Sequence, residues 1–430
     1  MTIRAFWQTT YSSLVLPTFY IVLKFAAFKN LKLKETLAGY NDLWQRLEKQ
    51  IANRNTQIPL IWFHVASAGE FLQALPVMQR LMADGYQCAL TITSVSGIRW
   101  ANKQRAQYPN LILVDYFPLD TKRNVNRLLD IIKPNAIIFV AYDLWPNLIW
   151  EACKRKLPLF LISAILNEKS KRISSYIARS FYKHIYPCLT AIFTVSEQDK
   201  KRFEKTCASL QHISIVGDTR IDSVLDRKKQ ISPPKLPDYV KDRTVILLGS
   251  VWPSDEYHIF PVLQEALNRF PDLLLIVAPH ETDNEHIQFI EKTFKDFKQT
   301  RFTSLQNEVE EKRLIIVDTV GHLSSLYYYA DLAYVGGAFG SGVHNTIEPC
   351  AMGLPAIFGP FFQNSPEAIN LVKEKTCFSI KNKQEFSSIL YKLLEDPEYR
   401  KKTGFEAARY VENHAGASEL IYLKIKDAIS

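Results

Sequence analysis

The stretch PLIWFHVASAGEFLQALPVMQRLMADG, residues 59–85, decides how the rest of the chain reads. It opens on PLIWFHVA, a nearly unbroken apolar run of the kind that a strand buried on both faces requires. From Glu70 the pattern changes: Phe71, Leu75, Met78 and Met82 recur at three- and four-residue spacing and predict a helix packed by one face. Pro76 inside it predicts a lost hydrogen bond and a bend. A strand, a tight turn and a helix in succession make one unit of a parallel sheet covered on both faces.

The unit recurs. QCALTITS, LILVD, NAIIFV, PLFLIS and AIFTV are further predicted strands, with amphipathic stretches between most of them. The alternation breaks at residues 223–242, SVLDRKKQISPPKLPDYVKD, whose prolines and charges predict a linker. It restarts with RTVILLGS, LLLIVAP, RLIIVD, LAYVGG and LPAIFGP, then a run of helices. The expected fold is therefore α/β, two doubly wound Rossmann-like domains over 31–222 and 243–430, the second including the C-terminal helices. Two such halves imply a cleft between them, with ligands beyond the carboxyl ends of the strands.

Composition narrows the function classes. Lys and Arg number 53 against 44 Asp and Glu, and the resulting +9 favours anionic partners. Six scattered cysteines without a CxxC pair argue against a disulfide scaffold or a structural zinc site and fit a reducing compartment. Residues 1–30 are read as an N-terminal membrane anchor, because YSSLVLPTFYIVLKFAAF (11–28) is apolar apart from Pro17 and Lys24. Lys24, Lys29, Lys32 and Lys34 follow the run and only Arg4 precedes it, which predicts a body on the cytoplasmic side of the membrane. An amphipathic helix packed on the core or lying in the interface is the competing reading.

Four places carry candidate chemistry. In HVASAGE (64–70), Ser67, Ala68 and Gly69 allow a tight turn that sets Glu70 at a helix start, where a carboxylate can serve as a general base or simply favour the helix dipole. In VGGAFGSGVHNTIEPCAMGLPAIFGP (335–360), a glycine loop with Gly337 leads to a helix expected near His344 and Asn345, an arrangement that offers N–H groups to a phosphate. Glu348, one turn in, is placed to accept from ribose hydroxyls. AYDLWPN (141–147) puts Asp143 after a strand and Trp145 at a helix start; an exposed turn is the plainer reading. The stretch Lys169–Lys183, with Lys171, Arg172 and Arg179 among aromatics, fits either a solvated face or contact with an anionic membrane surface. No nucleic-acid reader motif occurs, so nucleic acid is not an expected partner.

Taken together, these motifs resemble the 3-deoxy-D-manno-octulosonic acid (Kdo) transferases of lipopolysaccharide assembly. The resemblance runs through HVASAGE, YFPLD (116–120), DLWPN (143–147), VSEQD (195–199), VGDTRID (216–222), LLGS, VDTVGHLSSLYYYADLAYVGG and HNTIEPCAMGLPAIFGP. It implies a membrane-associated GT-B glycosyltransferase, facing the cytoplasm, that moves Kdo from CMP-Kdo to the 6-hydroxyl of the distal glucosamine of a lipid A precursor with inversion. It also implies that Glu70 is the catalytic base and that no metal or other cofactor is needed. By the same resemblance the first domain binds the acceptor, around Ser67, Gly69, Asp143, Trp145 and Asn147. The second domain would bind CMP-Kdo through Ser250, Glu256, His280, Gly321, Gly337, His344, Asn345, Glu348 and Asn364. The chain departs from the family pattern in three places. Ala141 and Asp143 stand where two glutamates are common, His280 and Glu281 replace an Arg-His pair after Pro279, and Val251 and Trp252 stand where small polar and His residues are usual. Two other readings compete: a GT-B transferase or epimerase using UDP-sugars, which would not need the anchor or the basic stretch, and a silent membrane scaffold, which would not need Glu70 or the glycine loop.

Overall fold

The computed structural model describes residues 2–207, 212–307 and 310–429. Two compact units emerge: residues up to Ser223 together with those from Ala415 onward, and Val224–His414.

The first unit is built on a parallel sheet of β1 (Leu60–Val65), β2 (Gln87–Ile92), β3 (Leu111–Tyr116), β4 (Ala136–Val140), β5 (Leu159–Ala164), β6 (Ala191–Thr194) and β7 (Ile213–Ile215). Their order is β3-β2-β1-β4-β5-β6-β7. Trp62, Phe63, Ile138, Phe139 and Leu161 are fully buried, as expected of strands covered by helices on both faces. The helix Ala68–Ala83 runs through Pro76 and buries Phe71, Leu75 and Met78 against the sheet.

The second unit repeats the plan with β8 (Thr244–Val251), β9 (Leu273–Pro279), β10 (Gln299–Arg301), β11 (Leu314–Ile316), β12 (Leu332–Val335), β13 (Ala356–Phe358) and β14 (Cys377–Ser379). All are parallel, in the order β10-β11-β9-β8-β12-β13-β14. Two Rossmann-like units of this kind make a GT-B fold. In each sheet the strand order reverses at one place, between β1 and β4 and between β8 and β12, and ligands of open α/β sheets bind beyond the strand ends there.

Three expectations are corrected. Residues 223–230 are not linker but part of the helix Thr219–Gln230, because the prolines at 233, 234 and 237 lie beyond that segment and only stop the helix. The unit boundary falls inside it, between Ser223 and Val224. The C-terminal helix Ala417–Ile429 belongs to the first unit. The Asp222 carboxylate accepts the Gly416 and Ser418 N–H groups at 2.6 and 2.7 Å, Lys426 pairs with Asp84 at 2.7 Å, and Ile421 and Ile425 enter the first core.

The N-terminal segment is helical over Ile3–Lys29, long and apolar enough to cross a membrane. A wider turn at Tyr11–Val15 precedes Pro17 and absorbs the backbone group that proline leaves without a donor. One side of this helix is tied to the first unit: Tyr11 Oη donates to Asp120 Oδ2 at 3.0 Å, Ser12 Oγ to Asn147 Oδ1 at 3.2 Å and Trp7 Nε1 to Ser180 Oγ at 3.3 Å. The other side exposes Leu14, Phe19, Ile21, Val22, Phe25 and Phe28.

Candidate functional site

In the first unit the site forms where β1 and β4 end. After β1, Ser67 caps the helix Ala68–Ala83 and its Oγ accepts from Glu70 N–H at 3.4 Å. Glu70 folds back over that turn, and its Oε2 accepts Ala66 N–H at 2.5 Å. The side chain is only 7% exposed, and burial raises its pKa from 4.5 to about 7. The Ala66 bond opposes that rise, while the negative charge of Asp143 adds to it. A carboxyl poised near neutrality takes a proton from an approaching hydroxyl more readily than an ordinary glutamate, which is the tuning a general base needs.

Asp143 arrives from β4 through a turn in which Ala141 is buried at φ 57°. Its Oδ2 lies 3.2 Å from His64 Nε2 and accepts from Trp145 Nε1 at 3.3 Å. The group facing Nε2 decides which ring nitrogen donates there. Trp62 Nε1 donates to Thr91 Oγ1 at 2.9 Å, the same oxygen that lies 2.9 Å from His64 Nδ1, while Nε2 faces the Asp143 carboxylate, which can only accept. The proton of the ring therefore sits on Nε2 and is given to Asp143. This buried relay holds Asp143 in place beside Glu70; His64 was quoted within its motif but assigned no role by the sequence.

Other expected acceptor-side residues divide. Ser67 and Trp145 join the site, Trp145 with its ring 5.2 Å from that of Phe117. Gly69 stands in open space, its nearest neighbour for a side chain being Ser67 Oγ at 3.8 Å. Asn147 is turned inward: its amide donates to Asp120 O at 2.6 Å and accepts from Ser12, so its role here is that of a brace. Asp120, which the sequence did not single out, is the centre of that brace, its carboxylate accepting Asn147 N–H, Leu148 N–H and the Tyr11 hydroxyl. In the basic stretch Lys169 and Lys171 are exposed and Arg179 is half-buried. Arg172 is not on the outer surface as expected: it lies over the Tyr182 ring at 4.4 Å and donates to Tyr142 O at 2.9 Å.

In the second unit the corresponding place is where β8 and β12 end. Gly336 is required there, because a Cβ would come within 2.1 Å of Ser250 O. Asp255, fully buried, organises the loop: Oδ2 accepts Gly337 N–H at 2.8 Å and Trp252 N–H at 3.0 Å, and Oδ1 accepts the Tyr334 hydroxyl at 3.0 Å. The glycine loop is thus not an open row of donors. The N–H groups of Gly340 and Gly342 go to Gly337 O, and that of His344 goes to Gly336 O. The helix after it is also shorter than expected, Ile347–Ala351, with Asn345 Oδ1 accepting from Ile347 N–H at 3.0 Å.

The side chains facing this place are rings. Trp252 stacks on His280 at 4.0 Å, His280 lies 5.0 Å from His344, and Trp252 Nε1 donates to His344 Nε2 at 2.9 Å. Burial and the neighbouring His280 lower the pKa of His344. Ser250 adjoins the stack at φ 54°, and Asn364 Nδ2 donates to Val343 O at 3.0 Å beside Gly342. Three expected donor-side residues are placed otherwise. Glu256 pairs with His286 at 2.6 Å in a groove between the helices Pro253–Arg269 and Asn284–Thr293, Glu348 pairs with Arg227 at 2.8 Å, and Gly321 sits in a loop with nothing near it.

Comparison with known proteins agrees with the motifs. Residues 41–223 match the family model of the 3-deoxy-D-manno-octulosonic-acid transferases. Over that segment the chain is similar to the Kdo transferases. A Kdo transferase of Chlamydophila psittaci is 27% identical over 347 residues, covering 80% of this chain and 79% of the relative. One of Rickettsia bellii is 25% identical over 414 residues, 94% of each chain. Among solved structures, the UDP-GlcNAc 2-epimerase of Neisseria meningitidis superposes with a TM-score of 0.62 at 15% identity, over 86% of this chain and all of that one, a likeness of fold alone.

Set beside the Kdo transferase pattern, the departures have physical consequences. A glutamate at position 141 would place a carboxyl in the buried turn that Ala141 fills. Asp143, one methylene shorter than a glutamate, meets His64 directly. Trp252 and His280 replace residues elsewhere hydrophilic and make a stacked face where the pattern has an arginine.

Proposed function

We propose that this protein transfers Kdo from CMP-Kdo to the 6-hydroxyl of the distal glucosamine of a lipid A precursor, with Glu70 as general base. The observation that carries this reading is Glu70 itself: a buried carboxyl at the reversal point of the first sheet, with a pKa near 7, inside the segment that matches the Kdo transferases. Glu70 takes the proton of the acceptor hydroxyl as its oxygen attacks the anomeric carbon of Kdo. The bond from that carbon to the CMP phosphate breaks, and CMP leaves with the electron pair. One displacement inverts the centre, and one base suffices.

On the donor side, the Trp252, His280 and His344 stack is the surface for the nucleotide, and the loop held by Asp255 keeps its backbone in place. The reaction needs no metal. The N-terminal helix supports a membrane location; because Tyr11, Ser12 and Trp7 are bonded to the first unit while the opposite side is exposed and apolar, it lies in the interface rather than across the bilayer, with the lysines that follow it on the cytoplasmic side.

The test is incubation with freshly made CMP-Kdo and a tetraacylated lipid A precursor, with UDP-sugars in parallel and EDTA in half the samples, products being read by mass. The expected result is addition of Kdo, unaffected by EDTA. Transfer from a UDP-sugar, or no product from folded protein, would overturn the reading.

A further inference from the structure

Two apolar grooves adjoin the N-terminal helix, one along Phe19 and Leu23 and the other along Trp7, Tyr11 and Val15. The first, about 380 Å³, is walled by Phe19 and Leu23 of that helix and by Leu33, Val95, Leu119 and Trp145. The second, about 490 Å³, is walled by Trp7 and Val15 of the helix and by Ile177, Ala178, Phe181 and Trp145. Both volumes fall in the range of ligand pockets. The two grooves share one residue of the candidate site, Trp145, whose indole N–H is bonded to Asp143. Asp143 itself lines the second groove, and Phe117, in ring contact with His64, lines the first. The second groove therefore reaches Asp143, the first reaches the site through Trp145 and Phe117, and both run along a helix whose outer side is exposed hydrocarbon.

We propose that the two grooves hold acyl chains of the acceptor lipid, one along each stretch of the N-terminal helix, and so bring its head group to Glu70. This inference rests on the proposed lipid-glycosylating reading. Apolar walls call for a hydrocarbon occupant, because burying methylenes there is favourable and a polar chain would lose its hydration without partners. The grooves converge on the site, so the occupant is attached to the reacting head group. A bulk membrane lipid has no reason to end there. The helix is then part of the acceptor site as well as an attachment to the membrane, since it walls both grooves.

The experiment uses full-length protein, a tetraacylated lipid A precursor carrying a diazirine in one acyl chain, and a diazirine phospholipid as the control for bulk lipid. Photolysis and peptide mapping should place the precursor's label on Leu23 or Leu119 and on Ile177 or Phe181, with the phospholipid's label on outward residues such as Phe25. In parallel, Leu23→Trp and Ala178→Trp each fill one groove. Each should lower kcat/KM for the tetraacylated acceptor about ten-fold or more while leaving transfer to a deacylated acceptor within about two-fold of wild type. Labelling of outward residues by both probes, or equal loss on both acceptors, would overturn the proposal. Absence of Kdo transfer by the wild type would count against the proposed function instead, and the labelling pattern would still decide the grooves.

Discussion

His64 Nε2 stands 3.2 Å from Asp143 Oδ2 and donates to it, since a carboxylate can only accept. The Glu70 proton is harder to lose first because the carboxyl is buried, and further because a second negative charge would form near that of Asp143. Removing the charge reverses the second effect. In Asp143→Asn the acidic limb of kcat/KM, which reports Glu70 near pH 7 in the wild type, moves to lower pH. A pH–rate series checks this; an unmoved limb would detach Asp143 from the tuning of Glu70.

The same raised pKa predicts a stability change. Folded Glu70 holds its proton up to about pH 7 against 4.5 for an ordinary glutamate, so the folded state gains stability below pH 4.5 and loses it as the pH rises to 7. Glu70→Gln cannot ionise and escapes that loss. It should be more stable than the wild type at pH 8 by about 1–3 kcal/mol, with the difference vanishing near pH 4. Urea denaturation at the two pH values measures it.

In the second unit Asp255 serves three donors from three segments. Asp255→Ala leaves the Gly337 and Trp252 N–H groups and the Tyr334 hydroxyl without their acceptor. A loss of about 2–4 kcal/mol and weaker CMP-Kdo binding follow, because the glycine loop and the ring stack lose their common anchor. Thermal unfolding and calorimetric titration report the two effects separately.

The N-terminal helix is held by specific bonds. Tyr11→Phe deletes the hydroxyl that Asp120 accepts and should cost about 1–2 kcal/mol while membrane recovery stays unchanged. Deleting residues 1–30 removes the exposed apolar side altogether and should move the protein to the soluble fraction. Flotation with vesicles distinguishes the two; membrane recovery of the truncated chain would shift the attachment to Lys169, Lys171 and their neighbours.

Much of this was legible in the sequence for one reason. Strands covered on both faces read as continuous apolar runs, so Leu60–Val65, Ala136–Val140 and Thr244–Val251 announce themselves. β7, β10 and β14 do not, since three residues at or near a sheet edge are too few for any pattern. The return of Ala417–Ile429 to the first unit depends on Asp222, nearly two hundred positions away, a pairing that no local pattern carries. Glu70 was visible because a small-residue turn and a helix start enclose it. His64 was not, because a histidine in an apolar strand reads as core. On the donor side the sequence leaves Asp255 unnoticed for a geometric reason: neighbouring helix residues point about 100° apart, so Asp255 serves the glycine loop while the adjacent Glu256 pairs with His286.

The most direct test of the central claim compares wild type and Glu70→Gln for transfer to the tetraacylated precursor and, separately, for affinity toward CMP-Kdo. Loss of a base predicts a turnover lower by about 10²–10⁴-fold with the dissociation constant of CMP-Kdo unchanged. Turnover within about ten-fold of wild type, in protein that binds the donor normally, would contradict the assignment of Glu70 as the base.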